Sequence, residues 1–233
     1  MPRIAHLLLL FPALALASTL GWAQSSCSND GLRAPVVLAE RFLSANCAMC
    51  WSTPSAAVAS RSAVLDWVVP SPLGDDAPLS AAALPEAAWR LDTLHANSPA
   101  TFSEHRKSVI ARPYRLRVAQ GMAVGGYAGA SIEFPVSEVR LPPGPLQAWL
   151  VLVEHIPAGL EGTPMPRNLV RNTFARTWTA QDIELARTEG LLRETRAMGL
   201  GATADPQRLR VIGWVEDTRG QVLAAAQSHC AAE

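Results

Sequence analysis

The feature that most constrains this chain is a pair of cysteines separated by two residues, in the segment Cys47-Ala-Met-Cys50. The apolar, β-branched run from Ala34 to Leu43 predicts a strand, and Ser44-Ala-Asn46 has residue types that favour a turn or a helix cap. Residue 47 is therefore expected to begin a helix. At this spacing on the first helical turn, the two sulfurs lie close enough to form a disulfide. The free amide groups and the positive end of the helix dipole there favour the thiolate form of the first cysteine. The pattern predicts a redox dithiol in which Cys47 attacks and Cys50 resolves.

The first residues have the order of a secretory signal peptide. Arg3 is the single charge, an almost wholly apolar run extends from Leu7 to Leu20, and Gly21-Trp22-Ala23 follows. We expect cleavage after Ala23 and exclude residues 1–23 from the fold. A membrane anchor is the alternative, but the run is short for a hydrocarbon core of about 30 Å. The mature protein is expected in the periplasm or secreted, without membrane contact.

All four cysteines lie beyond this leader. An even number of cysteines in an oxidising compartment favours disulfides, although four cysteines allow three pairings and the sequence does not choose among them. The simplest scheme pairs Cys47 with Cys50 and Cys27 with Cys230. The second pair would be a structural disulfide that ties the start of the mature chain to its end.

Composition and motifs argue against several other functions. The chain has 20 basic and 20 acidic residues, and the bases are scattered, so nucleic-acid binding is not expected. Without a second Cys-x-x-Cys or a suitably spaced His pair, no metal site is predicted. The glycines between residues 121 and 129 do not form a dinucleotide fingerprint, and no cofactor is expected. The expected partners are protein or small-molecule thiols and disulfides, and the oligomeric state stays open.

The two halves of the chain differ in pattern. The first half alternates predicted strands (34–43 and 63–69) with predicted helices (80–94 and 103–110), whereas the chain beyond Pro113 is mainly β. The strands predicted there are 114–119, 130–139, 147–155, 168–177, 191–198 and 209–216, with 180–192 as an alternative helix. A hairpin turn is predicted at Asp217-Thr-Arg-Gly220. We therefore expect an α/β domain at 24–127 and a β-rich, sandwich-like region at 128–233.

Several segments are similar to a known family. They are Pro35 to Cys50, Leu65-Asp66-Trp67, Ser98 to Phe102 with His105-Arg106, Asn168 to Arg171, and Gln221 to Gln227. Together they resemble the secreted thioredoxin-like family catalogued as domain of unknown function 1223. The resemblance implies a thioredoxin fold with an added β-rich region, and it implies no known substrate.

Two further residues are candidates for the site. The family has a Thr-Pro before a strand that ends in glycine, which implies that Pro113 is a cis-proline facing Cys47, although Pro113 lies farther from Gly121 than the family pattern has it. An ordinary trans bond is the alternative. Asp66, at a predicted strand end, is a candidate proton acceptor for the resolving thiol, with a capping role as the alternative.

Two functions fit these observations. The first is thiol-disulfide exchange through Cys47 and Cys50. The second is a secreted binding or scaffold protein in which both disulfides are structural. Exposure of the sulfurs separates them, because exchange requires a reachable sulfur atom.

Overall fold

The computed structural model describes residues 27–54, 59–110, 112–137 and 139–230. The predicted signal peptide, residues 1–23, lies outside these ranges. The described chain forms three α-helices, α1 (Ala48–Ser52), α2 (Pro85–Thr93) and α3 (Ala180–Glu189), with 3-10 turns at Gly74–Asp76, Ser80–Ala82 and Pro206–Arg208. Its strands are β1 (Cys27–Ser28), β2 (Val37–Ser44), β3 (Ser62–Val69), β4 (Phe102–Ser108), β5 (Arg117–Val124), β6 (Tyr127–Pro135), β7 (Leu146–Ile156), β8 (Arg167–Trp178), β9 (Leu191–Gly199), β10 (Leu209–Glu216), β11 (Val222–Gln227) and β12 (His229–Cys230).

The described strands form two sheets. The larger has seven strands in the order β11-β10-β7-β8-β3-β2-β4, and the smaller has five in the order β12-β1-β5-β6-β9. Strand β3 pairs in parallel with both β2 and β8, and the other ladders are antiparallel. Strands from before and after residue 127, the expected domain boundary, occur together in both sheets.

The prediction of a thioredoxin-like α/β domain is wrong. The described chain is mostly β-sheet in a sandwich-like arrangement, and it shows no thioredoxin pattern of helices. Most of the segment 103–110, predicted as a helix, belongs instead to the edge strand β4 (Phe102–Ser108). Tertiary pairing with β2 decides this, since a short polar segment has little helical stability of its own. The β-rich second half was predicted, but it shares a sheet with the first.

Strand β7 explains how two cores can share one sheet. Its residues Leu146, Ala148, Leu150 and Leu152 face a core between the two sheets. The alternate residues Trp149, Val151 and Val153 face a second core, against α2. Because successive strand residues point to opposite faces, a strand buried on both faces needs a continuous apolar run, as this segment has.

Both predicted disulfides are present. Cys27 and Cys230 are bonded to each other across the β1–β12 ladder, where they lie directly opposite. The second disulfide joins Cys47 and Cys50. Among the described residues there is no free cysteine. Two disulfides are typical of proteins in an oxidising, extracytoplasmic environment.

Gly213 on β10 lets the two sheets approach each other. A Cβ at this position would lie 2.7 Å from Val118 Cγ1 and 3.2 Å from Ile132 Cδ1. We expect Gly213→Ala to lower the free energy of unfolding by about 1–3 kcal/mol through overpacking, measurable by urea denaturation. The double variant with Val118→Ala, which removes the clashing methyl group, should recover part of this loss. No recovery would contradict the assigned contact.

Candidate functional site: the Cys47–Cys50 disulfide

The disulfide lies where β2 ends and α1 begins. The Cys47 amide donates to the Ser44 carbonyl at 2.9 Å, and the Cys50 amide donates to the Cys47 carbonyl at 3.0 Å. Cys47 is the residue immediately before α1, as the sequence predicts. Helix α1 has only five residues, however, so its macrodipole is small. Local charges and hydrogen bonds therefore matter more at this site than the sequence argument assumed.

Both cysteines are accessible in part. Cys47 and Cys50 are half-buried, and Met49 between them is 73% exposed. In the other disulfide, Cys27 is 5% exposed and Cys230 is half-buried. Because exchange proceeds by direct attack on a sulfur atom, at least one sulfur of an exchangeable bond must be reachable. The exposure of the 47–50 pair is compatible with exchange.

An open groove of about 340 Å³ runs beside the disulfide. Its lining residues come from two segments, the α1 region and the start of β4, and are Cys47, Met49, Cys50, Thr53, Pro54, Thr101 and Phe102. The Thr101 carbonyl accepts a hydrogen bond of 2.8 Å from the Ser44 amide, which fixes one wall of the groove to the end of β2. The groove thus brings an apolar surface next to the sulfurs.

Arg167 at the start of β8 holds the other end of α1. Its Nη2 donates to three main-chain carbonyls, those of Cys50 at 3.0 Å, Trp51 at 2.9 Å and Thr53 at 3.1 Å. The last carbonyls of a helix have no intrahelical partner, so they need an outside donor when covered. Arg167 itself is 1% exposed. A buried guanidinium therefore fixes the main chain of Cys50.

Asp66 on β3 anchors Arg167. Its Oδ1 accepts from Arg167 Nη1 at 3.1 Å, and its Oδ2 accepts from the Asn168 amide at 2.8 Å. Arg41 Nη1 lies 3.8 Å from Oδ1. Burial raises the pKa of Asp66, while Arg167 and the Asn168 amide oppose the rise. The proton-acceptor role of Asp66 stays a prediction. The structure shows an ion pair that links β3 to the cysteine turn through Arg167.

Trp51, directly after Cys50, completes these contacts. Its Nε1 donates to the Glu161 carbonyl at 2.7 Å, and the Arg167 guanidinium lies 5.4 Å from its ring centroid. Arg167 Nε also donates to Thr163 Oγ1 at 3.2 Å. These bonds tie α1 to the connection between β7 and β8. Sequence reasoning missed Arg167 because it lies 101 residues from Asp66 and has no local motif.

Pro113 has the predicted cis bond to Arg112, but its place in the fold differs from the expectation. The Val109 amide donates to Val36, before the start of β2, whereas Cys47 follows its end. A strand of eight residues spans about 25 Å. Pro113 follows Val109 closely in the chain, so the chain reaches it from the start of β2, whereas Cys47 lies beyond the end of β2. The residues near β4 that do lie beside the disulfide are Thr101 and Phe102.

Comparisons with known proteins give little further information. No protein-family model matches the chain. No curated protein matches it either. Among solved structures, the chain is similar to HBP35 of Porphyromonas gingivalis, with 11% sequence identity and a TM-score of 0.47 over 83% of this chain and 74% of that one. This level of similarity establishes neither a common fold nor a common function.

The described residues show neither a membrane-spanning helix nor a cluster of metal ligands. No helix there is long and apolar enough to cross a membrane. Within the same ranges, no group of three or more His, Cys, Asp or Glu side chains is arranged to hold a metal ion. The disulfide, its groove and the Arg167 contacts together form the candidate functional site.

Proposed function

We propose that this protein carries out thiol-disulfide exchange through Cys47 and Cys50, on thiols or disulfides of proteins or small molecules, in the periplasm or after secretion. The observation that carries the proposal is a half-exposed disulfide beside an open groove, with the main chain of Cys50 held by a buried arginine. Membership of the family catalogued as domain of unknown function 1223 stays a proposal resting on the sequence resemblance alone.

The chemistry follows from the oxidised pair. A substrate thiolate attacks the Cys47 sulfur, a bond forms between the two sulfurs, and Cys50 leaves as a thiolate that takes up a proton. A second substrate thiolate then attacks the substrate sulfur of this mixed disulfide, and Cys47 leaves as a thiolate. The substrate is oxidised to a disulfide and the protein is reduced to a dithiol. The reverse sequence reduces a substrate disulfide. In either direction a second thiol-disulfide couple must restore the starting state of the protein.

Trapping the mixed disulfide tests the proposal. Removing Cys50 should leave Cys47 able to form a mixed disulfide that cannot resolve, so Cys50→Ser incubated with oxidised glutathione should gain one glutathione, detected by mass spectrometry of the intact chain. The matched control is Cys47→Ser, in which we expect slower addition, since Cys50 is assigned as the resolving residue.

The opposite result has a clear meaning. If neither variant forms a mixed disulfide while both remain folded by circular dichroism, the 47–50 bond is a structural disulfide and the protein is a binding or scaffold protein instead. If Cys50 reacts faster than Cys47, exchange stands but the assignment of attacking and resolving sulfurs is reversed.

A further inference from the structure

Strand β4 is the outermost strand of the larger sheet on the side of the disulfide. It pairs with β2, and within the described chain no strand lies on its other side. Its first residue, Phe102, is 37% exposed and lines the groove beside Cys47 and Cys50. An open sheet edge therefore begins at the candidate site.

The register shows which main-chain groups face outward. Hydrogen bonds from Val109 N to Val36 O and from Ser44 N to Thr101 O mark two of the hydrogen-bonded pairs between β4 and β2. Because such pairs alternate in an antiparallel ladder, every second residue of β4 turns its amide and carbonyl away from β2. These residues are Phe102, Glu104 and Arg106. No main-chain bond on that side is found for them among the described residues.

The far end of β4 is closed. Lys107 Nζ donates to the Gly220 carbonyl at 2.9 Å, and the Ile110 amide donates to the Val222 carbonyl at 3.0 Å. A bridge between Val109 and Val222 joins the two outer strands of the sheet there. The open edge thus extends from Phe102 to Arg106, a length of about 16 Å.

We infer that the substrate is a cysteine-containing polypeptide that adds to β4 as an extended strand, with its cysteine over the groove at Cys47 and Cys50. This inference rests on the proposed function. Repeated outward donors and acceptors at strand spacing are matched by a peptide main chain, whereas a small thiol could occupy the groove alone. Met49, Pro54 and Phe102 offer apolar contact to the residue beside the substrate cysteine.

The acidic side chain on this edge, Glu104, is paired with cations of the protein. Glu104 forms ion pairs with Arg41 on the neighbouring strand β2, at 3.5 Å, and with Arg106 on β4. Its charge is therefore compensated within the protein, and an approaching peptide carbonyl does not face an unpaired carboxylate. Specificity would come from the peptide main chain and from the apolar groove rather than from a charge pattern in the substrate.

A pair of peptide probes tests this. Both peptides carry one cysteine activated as a mixed disulfide with thionitrobenzoate. They differ in one respect: in the second peptide, alternate main-chain nitrogens are methylated, which prevents strand pairing. In Cys50→Ser, the Cys47 thiolate attacks the peptide sulfur, the new disulfide forms and coloured thionitrobenzoate leaves. We expect the unmethylated peptide to react at least about tenfold faster, the effect of one or two hydrogen bonds.

A second pair of variants locates the pairing on β4. In the Cys50→Ser background, Arg106→Pro removes one outward amide and should reduce the preference for the unmethylated peptide to about twofold or less. Arg106→Ala removes the same side chain but keeps the amide, and should retain the preference. Circular dichroism and thermal unfolding establish that both variants are folded.

Equal rates with the two peptides would overturn the inference, as would a preference that survives Arg106→Pro. Such a result is distinct from failure of the proposed function. If the proposed function itself fails, Cys50→Ser would react with none of the probes: the two peptides, oxidised glutathione, and glutathione activated with thionitrobenzoate. Reaction with glutathione and both peptides at similar rates would leave exchange standing and assign the groove alone as the binding site.

Discussion

Arg167→Gln is expected to shift the Cys47–Cys50 equilibrium with glutathione by about tenfold toward the disulfide. The guanidinium lies 3.0 Å from the Cys50 carbonyl, and a nearby positive charge favours the thiolates of the reduced form. The variant should therefore be a weaker oxidant than the wild type, as measured by alkylation and mass spectrometry in glutathione buffers.

The same substitution should also lower the free energy of unfolding by about 3–5 kcal/mol, because it leaves the buried Asp66 carboxylate with the more distant Arg41, at 3.8 Å, as its remaining cation among the described contacts. The double variant Asp66→Asn/Arg167→Gln separates the two effects, since it removes this carboxylate charge and should recover stability while the redox equilibrium stays shifted. Arg193→Gln, an exposed arginine paired with Glu133 at 3.1 Å, is the matched control and should change neither quantity. An unchanged equilibrium in Arg167→Gln would contradict a role for Arg167 at the disulfide.

Arg90→Met is expected to destabilise the fold by about 3–5 kcal/mol without acting on the disulfide. Arg90 is fully buried, donates to Glu40 at 2.7 and 2.8 Å, and donates to Glu216 at 2.8 and 3.0 Å. Its guanidinium also lies 4.6 Å from the ring centroid of Trp149. Removing Arg90 takes a cation away from two buried carboxylates, those of Glu40 and Glu216. Among the described contacts, Lys107 is the cation that remains on Glu216. Urea denaturation at neutral pH measures the loss.

The pH dependence identifies the cause. Burial raises the pKa of Glu216, but hydrogen bonds and charge from Arg90 and Lys107 outweigh burial, so the net pKa lies below its ordinary value. In the wild type this carboxylate therefore stabilises the fold above about pH 4.3, and the contribution is lost as the pH falls through the folded-state pKa. In Arg90→Met protonation instead relieves an uncompensated charge. The deficit should be largest at neutral pH and shrink toward pH 4, and a deficit independent of pH would indicate lost packing alone.

Local patterns predicted many elements of this fold. The strands at 62–69, 146–156 and 209–216 were predicted within about a residue or two, since each is a largely apolar run rich in β-branched and aromatic residues. Both disulfides agree with the simplest pairing scheme. The alternative helix at 180–192 is α3, which begins with a capping box formed by Thr179 and Asp182. These signals are local in the sequence.

What the sequence did not predict depends on distant residues. Strand β4 is polar and short, and only its ladder with β2 determines its conformation. The mixing of first-half and second-half strands in one sheet follows from pairing of β3 with β8, about a hundred residues later. In the candidate site, the cysteines were visible as a motif. Arg167 was not, because its role depends on lying beside three carbonyls and Asp66 in the folded chain.

We expect the 47–50 bond to exchange while the 27–230 bond does not. The most direct measurement is to equilibrate the wild-type protein in a series of glutathione redox buffers, alkylate all free thiols, and locate the labels by peptide mass spectrometry. We expect Cys47 and Cys50 to become labelled together within the buffered range, while Cys27, which is 5% exposed, and Cys230, which is half-buried, remain bonded. If all four cysteines stay unlabelled until the protein unfolds, the 47–50 disulfide is structural and the exchange function is contradicted.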